Sequence, residues 1–181
     1  MSKKLKWILG ILGILVIVLF AAFKFMQYNT KKASPETTAE YTSNGNKIVV
    51  NYSQPSKKGR EIFGGLVPYG KVWRTGANEP TTFTTEKELN VGGKTLPAGT
   101  YTLWTIPEKD HWTVIFNSKQ YDWGINWDGT STHEPEADVA QIQVPVQTTT
   151  APTESFTISF EETDPAMVLA WDQTRVVVPF R

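Results

Sequence analysis

The sequence predicts an all-β fold, an antiparallel β-sandwich or jelly roll, preceded by one N-terminal transmembrane helix. Three observations carry this reading. Beyond Lys47 the chain breaks into short segments of strand length, rich in Val, Ile, Thr and aromatic residues and bounded by turn formers. None of these segments has the 3.6-residue apolar period of an amphipathic helix. Before them, residues 7–23 read WILGILGILVIVLFAAF without a charge.

The apolar run comes first in the chain. At about 1.5 Å per residue it reaches roughly 25 Å, and residues 5–26 reach about 33 Å, enough for a ~30 Å hydrocarbon layer if Lys6 and Lys24 extend toward water. A cleaved signal peptide is the alternative. It needs small residues at −3 and −1, and the available cuts put Leu19 or Phe20 at −3, so residues 1–26 read as an uncleaved anchor. Lys3, Lys4 and Lys6 stand with the amino terminus on one side, against Lys24, Lys31 and Lys32 on the other. This bias favours a cytoplasmic amino terminus and an exported domain.

Residues 27–46, QYNTKKASPETTAEYTSNGN, carry no apolar period and read as a polar tether with a root-mean-square reach on the order of 25 Å. The domain then occupies 47–181. Its first strand is 48–52, which opens on Ile48, Val49 and Val50; 81–86 follows around Phe83. Residues 89–91 lead through Gly92 and Gly93 into 95–96, a hairpin signal, and 97–99 turn into 100–106. Segments 112–117, 139–147, 156–160, 167–171 and 175–180 complete the set, with 148–153 as a low-complexity loop. Sequential hairpins of this kind build antiparallel sheets.

Charge and cysteine content exclude several function classes. The net charge is zero, but residues 1–24 hold four lysines and no acid, so the 14 basic and 18 acidic residues beyond them leave the rest of the chain at −4. Nothing there favours a nucleic-acid partner. With no cysteine there is no disulfide scaffold, thiolate metal site or cysteine nucleophile.

The densest stretch is 53–82, SQPSKKGREIFGGLVPYGKVWRTGANEPTT, with five glycines and three prolines among Arg60, Glu61, Phe63, Tyr69, Trp73, Arg74 and Glu79. Such loops need unusual backbone angles and carry specific contacts. The patterns S-x-P-x-x-x-G-R-x-I-F-G and L-V-P-Y-G-x-V-W-R-T-G-A-N-E, with L-P-A-G-T-Y-T-L at 96–103 and W-T-V-I-F-N at 112–117, resemble the domain of unknown function family 2911. The resemblance covers roughly 46–181. It implies an exported all-β domain without established activity or catalytic residues.

The residues themselves supply candidates. Arg60 and Arg74 can converge on a carboxylate, phosphate or sugar oxygen; equally, they can pair with Glu61 and Glu79 or cap carbonyls to hold the loop. Asn78 and Glu79 offer oxygens and an amide beside a glycine-rich turn, where Asn is also an ordinary turn former. Tyr69 and Trp73 add aromatic surface to the same loop. Trp104, Trp112 and Trp171 lie in expected strands and read as core. Trp123 and Trp127 fall in the loop YDWGINWDG, where exposure would mark a binding role.

Segment 122–138 gathers Asp122, Asp128, His133, Glu134, Glu136 and Asp138 and reads as a solvated acidic loop. Against the calcium-loop template it places Gly124 first and Pro135 last, where ligands are required, and no histidine pair has ligand spacing. No metal or cofactor is expected. G-x-S-x-G, the phosphate-loop pattern and G-x-G-x-x-G are all missing from the sequence. A carboxylate pair of Glu61 and Glu79 is the one formal glycosidase candidate.

These readings predict a single-pass, membrane-anchored envelope protein whose exported domain is a binding or structural module for a glycan, peptide or protein. Candidate ligand-binding residues are Arg60, Tyr69, Trp73, Arg74, Asn78, Glu79, Trp123 and Trp127. The alternatives are a hydrolase of envelope carbohydrate or peptide, and an architectural subunit contacting another envelope protein.

Overall fold

A computed structural model describes residues 1–43 and 45–180; Asn44, inside the expected tether, and Arg181, the last residue of the expected domain, lie outside the described residues. The chain divides into two units, Met1–Ala33 and Ser34–Arg181. The first is one helix, α1 (Lys3–Ala33), long and apolar enough to cross a membrane. None of its residues is buried, and it is apolar on every side through the run that the sequence marks. It continues past Met26 into the segment expected as tether, with Lys31 and Lys32 in its last turn, where cations complement the helix dipole.

The second unit is antiparallel β-sheet. Its strands are β1 (Glu36–Ser43), β2 (Asn46–Ser53), β3 (Thr82–Thr85), β4 (Leu89–Val91), β5 (Lys94–Leu96), β6 (Gly99–Pro107), β7 (His111–Asn117), β8 (Asp138–Glu161) and β9 (Ala166–Pro179), with a one-turn 3₁₀ helix at Pro135–Ala137. Seven of them form a sheet in the order β1-β2-β3-β6-β7-β8-β9, and β4-β5 is a separate hairpin. The all-β antiparallel expectation holds.

Two local expectations change. Residues 36–43 are a strand, not part of a tether: Thr37, Ala39 and Tyr41 alternate inward against exposed neighbours, and Tyr41 stacks on Phe160 at 5.3 Å. A strand with one aromatic and no aliphatic run declares itself only when the sheet supplies a face for it. Segments 139–147 and 156–160, with the expected loop 148–153 between them, are one strand, β8, as 167–171 and 175–179 are one strand, β9.

The long strands curl the sheet. Residues 138–145 of β8 pair with β7, while its distal half pairs with β9 through register shifts at Thr148, Thr153 and Thr157. The distal half folds over β2, where the Ile158 amide donates to the Tyr52 hydroxyl at 3.1 Å. Strands that bend and change layer in this way close a sandwich. Val50, Phe83, Leu103, Phe116, Val176 and Val178 are fully buried between the layers.

Candidate functional site

The connection from β2 to β3, residues 54–81, crosses one end of the sandwich and is stitched to both layers. At its start the Lys57 amide donates to Glu154 O (2.7 Å) and the Phe156 amide to Pro55 O (2.9 Å); Lys57 also forms an ion pair with Asp172. In the middle, Val67 N donates to Ile62 O (2.8 Å), closing a turn that buries Ile62, Phe63 and Val67. At its end Trp73 and Thr105 exchange backbone bonds of 2.7 and 2.9 Å. Burying those three apolar side chains contributes on the order of 5 kcal/mol toward ordering the segment, beside the backbone bonds at its two ends.

The turn after Trp73 is strained and locked. Thr75 and Asn78 have φ of 55° and 58°, a region that costs a β-branched residue the most. Thr75 is held there because its carbonyl accepts from Thr81 Oγ1 (2.6 Å) and its hydroxyl meets Thr105 Oγ1 (3.1 Å). Gly76 fits because a Cβ there would stand 2.9 Å from Ser53 O. The result is one fixed exit direction for Arg74.

Beneath the loop lies an aromatic floor. Trp73 stacks on Trp171 (6.0 Å, 18°), Phe63 meets Trp73 and Trp112 edge-on, and Trp73 Nε1 donates to Gly76 O at 3.0 Å. Above the floor opens a cavity of about 850 Å³, bounded by Arg60, Leu66, Lys71, Trp73 and Arg74 from the loop, by Trp171, and by Ile125 with Asp128–Ser131 from the β7–β8 connection. Ser34, the first residue of this unit, also lines it. Its size and its apolar walls with a few convergent polar groups suit a small ligand or the end of a larger one.

Three cations, Arg60, Lys71 and Arg74, face this space against one carboxylate, Asp128. Arg60 is exposed and spends Nη2 and Nε on Ser56 O (2.6 Å) and Lys57 O (3.0 Å), so it caps the loop as well as lining the cavity. Burial pushes the Arg74 guanidinium below its ordinary value, and the charge of Glu79 offsets this in part. Arg74 Nε is buried without an acceptor. The Arg74 stem is clamped by Gly124, where a Cβ would come within 2.7 Å of Arg74 Cβ and closer still to Cδ.

The opposite wall is a small closed turn. Asn126 N donates to Thr130 O (2.8 Å), and the Asp128 carboxylate accepts from the Thr130 amide (3.0 Å) and hydroxyl (2.6 Å), bonds that hold its carboxyl below the usual aspartate range. Trp127 at the tip is fully exposed.

The candidates thus separate. Arg60, Trp73 and Arg74 meet at the cavity. Tyr69 stands outside its lining, half-buried, with Lys109 Nζ 6.0 Å above its ring. Asn78 is buried and its amide donates to Ser34 O (3.3 Å) and Ser53 Oγ (3.4 Å), which is the turn role. Glu79 is half-buried and acts on Arg74 through its charge. Neither Glu61 nor Glu79 is among the cavity's lining residues. Trp123 is half-buried with its carbonyl taken by Thr132 Oγ1 (2.8 Å), and neither it nor Trp127 lines the cavity. Sequence reasoning missed Lys71 and Ile125, whose types and spacing carry no signal, and the second face of Trp171.

The acidic segment also needs correction. Asp122, Asp128, Glu134 and Glu136 are solvated, but the His133 and Asp138 side chains are only 7% and 6% exposed, 2.7 Å apart. Asp138 further accepts from Asn117 Nδ2 and Gln141 Nε2, each at 2.8 Å, and His133 packs edge-on against Trp104. A carboxylate with three donors tolerates burial. This network ties 133–138 to β7 through Asn117. Among the described residues no group of three or more His, Cys, Asp or Glu is placed to hold a metal ion.

One protein family, described as Protein of unknown function (DUF2911), matches residues 34–180. No curated protein and no solved structure matches the chain.

Proposed function

The chain belongs to the DUF2911 family, and we propose that it is a membrane-anchored binding module whose ligand, carrying a carboxylate or phosphate, enters the cavity between the β2–β3 loop and the 125–131 turn. The observation that carries this reading is the convergence of Arg60, Lys71 and Arg74 on one aromatic-floored cavity, with the Arg74 Nε buried and lacking an acceptor. An immobilised guanidinium in a partly dehydrated wall binds an anion with little further loss of side-chain entropy. Helix α1 is the anchor, and the lysines at positions 3, 4 and 6 support a cytoplasmic amino terminus with the domain outside.

Trp73 and Trp171 report occupancy, because both line the cavity. Purified full-length protein is titrated with acidic envelope glycans, peptides and simple anions while tryptophan emission is followed. Arg74→Ala is expected to weaken binding about tenfold or more, roughly 1.4 kcal/mol. A panel that leaves emission unchanged at millimolar concentration sinks the reading.

A further inference from the structure

Among the described residues, three of the domain's four exposed large apolar side chains stand at or beside the mouth of this cavity, Val139 being the fourth. Leu66 on one side is 47% exposed and Ile125 on the other 39%, and both line the opening. Trp127, fully exposed, stands two residues beyond Ile125 in the turn closed by Asn126 and Thr130. A tryptophan, an isoleucine and a leucine presented around a cationic pocket match the bilayer interface, where indoles sit at head-group level and phosphates offer charge. Chain length brings the bilayer within reach. Ser34 lines the cavity and follows directly on α1, and about ten residues, some 15 Å of helix, separate it from Lys24 at the end of the apolar run.

Resting on the binding-module reading above, we propose that the cavity takes the phosphate-bearing head group of an anionic phospholipid from the bilayer that holds α1, with Leu66, Ile125 and Trp127 seated in the interfacial layer around its mouth. Arg60, Lys71 and Arg74 supply the charge for the phosphate, and Leu66, Val72 and Trp73 meet the glycerol and the first methylenes. The domain, residues 34–181, holds 12 basic and 18 acidic residues, a net charge of −6 that opposes contact with an anionic surface in general. At the cavity itself the balance reverses, since Arg60, Lys71 and Arg74 outnumber Asp128 among its lining residues, and acids farther off than a Debye length of about 10 Å are screened.

The chain has no cysteine, so a nitroxide on Leu66→Cys reports a single position. Full-length protein is reconstituted in phosphatidylcholine vesicles with and without phosphatidylglycerol. With phosphatidylglycerol the label is expected to be shielded from an aqueous nickel chelate and open to oxygen. The same label on Glu88→Cys, in a separate hollow lined by Tyr41 and Phe180, stays open to the chelate. Adding Lys71→Glu removes the phosphatidylglycerol dependence, and adding Trp127→Ser returns the Leu66 label to water. A Leu66 label as open to the chelate as the Glu88 label, in both kinds of vesicle, overturns the proposal. If glycerol phosphate in solution then changes the cavity tryptophan emission, only the lipid source falls and the anion-binding reading stands. If it does not, both fall.

Discussion

Arg74 and Trp73 are neighbours in sequence and both line the cavity. Trp73 lies in the aromatic floor, stacked on Trp171 and hydrogen-bonded to Gly76 O, so Trp73→Ala is expected to cost about 3–5 kcal/mol, as truncation of a packed aromatic does. Lys71 is exposed on the rim, and Lys71→Ala is expected to change stability by no more than about 0.5 kcal/mol. Urea denaturation checks both values, and a Lys71 variant as unstable as the Trp73 variant would show the rim to be structural. Gly124→Ala drives a methyl into the stem of Arg74; overpacking of this kind costs about 1–3 kcal/mol, and anion binding should fall with it. Asp128 gives a pH test. Its folded-state value is depressed by the Thr130 hydrogen bonds, so what its carboxylate adds to the turn is present above the unfolded aspartate value of about 3.9. That contribution is lost only as the pH falls through the lower folded value. The Thr130 amide resonance should therefore hold steady from neutral pH down to about 5 and move only in acid; a transition near neutrality contradicts the assignment.

At the scale of elements, the β2–β3 connection behaves as part of the sheet. Its ends are bonded to β6 and β8 through Trp73–Thr105 and Lys57–Glu154, so the amides of Val67, Trp73 and Thr81 should exchange as slowly as those of β6, and rapid exchange there would show a loose loop. Strand β9 offers a second test. Asp172 bends it with φ 53° and forms an ion pair with Lys57. Asp172→Asn keeps a residue that tolerates that backbone, whereas Asp172→Ala loses both features, so Ala should be less stable than Asn by about 1 kcal/mol. Equal stability would place the whole effect in the ion pair. These elements were unequally legible. Trp112 and Phe116 announced β7, and Gly92-Gly93 announced the β4–β5 hairpin, because their signals lie within one segment. Strand β1 and the fusion of 139–147 with 156–160 were not legible, because their strand character depends on partners across the curl, such as Phe160 for Tyr41.

For the whole molecule, the expectation is a protein that fractionates with membranes through α1 and whose residues 34–181 remain folded and soluble once 1–33 are removed. The cut belongs before Ser34, since Ser34 O and Pro35 O accept from Asn78 and Gln54 and a shorter domain would lose both bonds. Circular dichroism of that fragment should be strand-dominated, and helix above about a third, the globular average, would contradict the fold. Full-length protein recovered in the soluble fraction with its amino terminus trimmed near Ala22 would show a cleaved signal peptide instead of an anchor.

The sequence by itself determined what local patterns encode. The charge-free run of residues 7–23 specifies an apolar helix, and the period and turn residues beyond Lys47 specify antiparallel strands. The motifs from Gly59 to Glu79 mark the family, now matched over 34–180. Only the tertiary structure decided which polar groups meet. Arg60 and Arg74 turn to the cavity while Asn78 is buried, and His133 and Asp138 leave an acidic loop to form an internal pair. The wall opposite Arg74 comes from residues some fifty positions later in the chain. The reason is geometric: the contacts of a side chain depend on where the curl of the long β8 and β9 carries distant segments, and no local period records that curl.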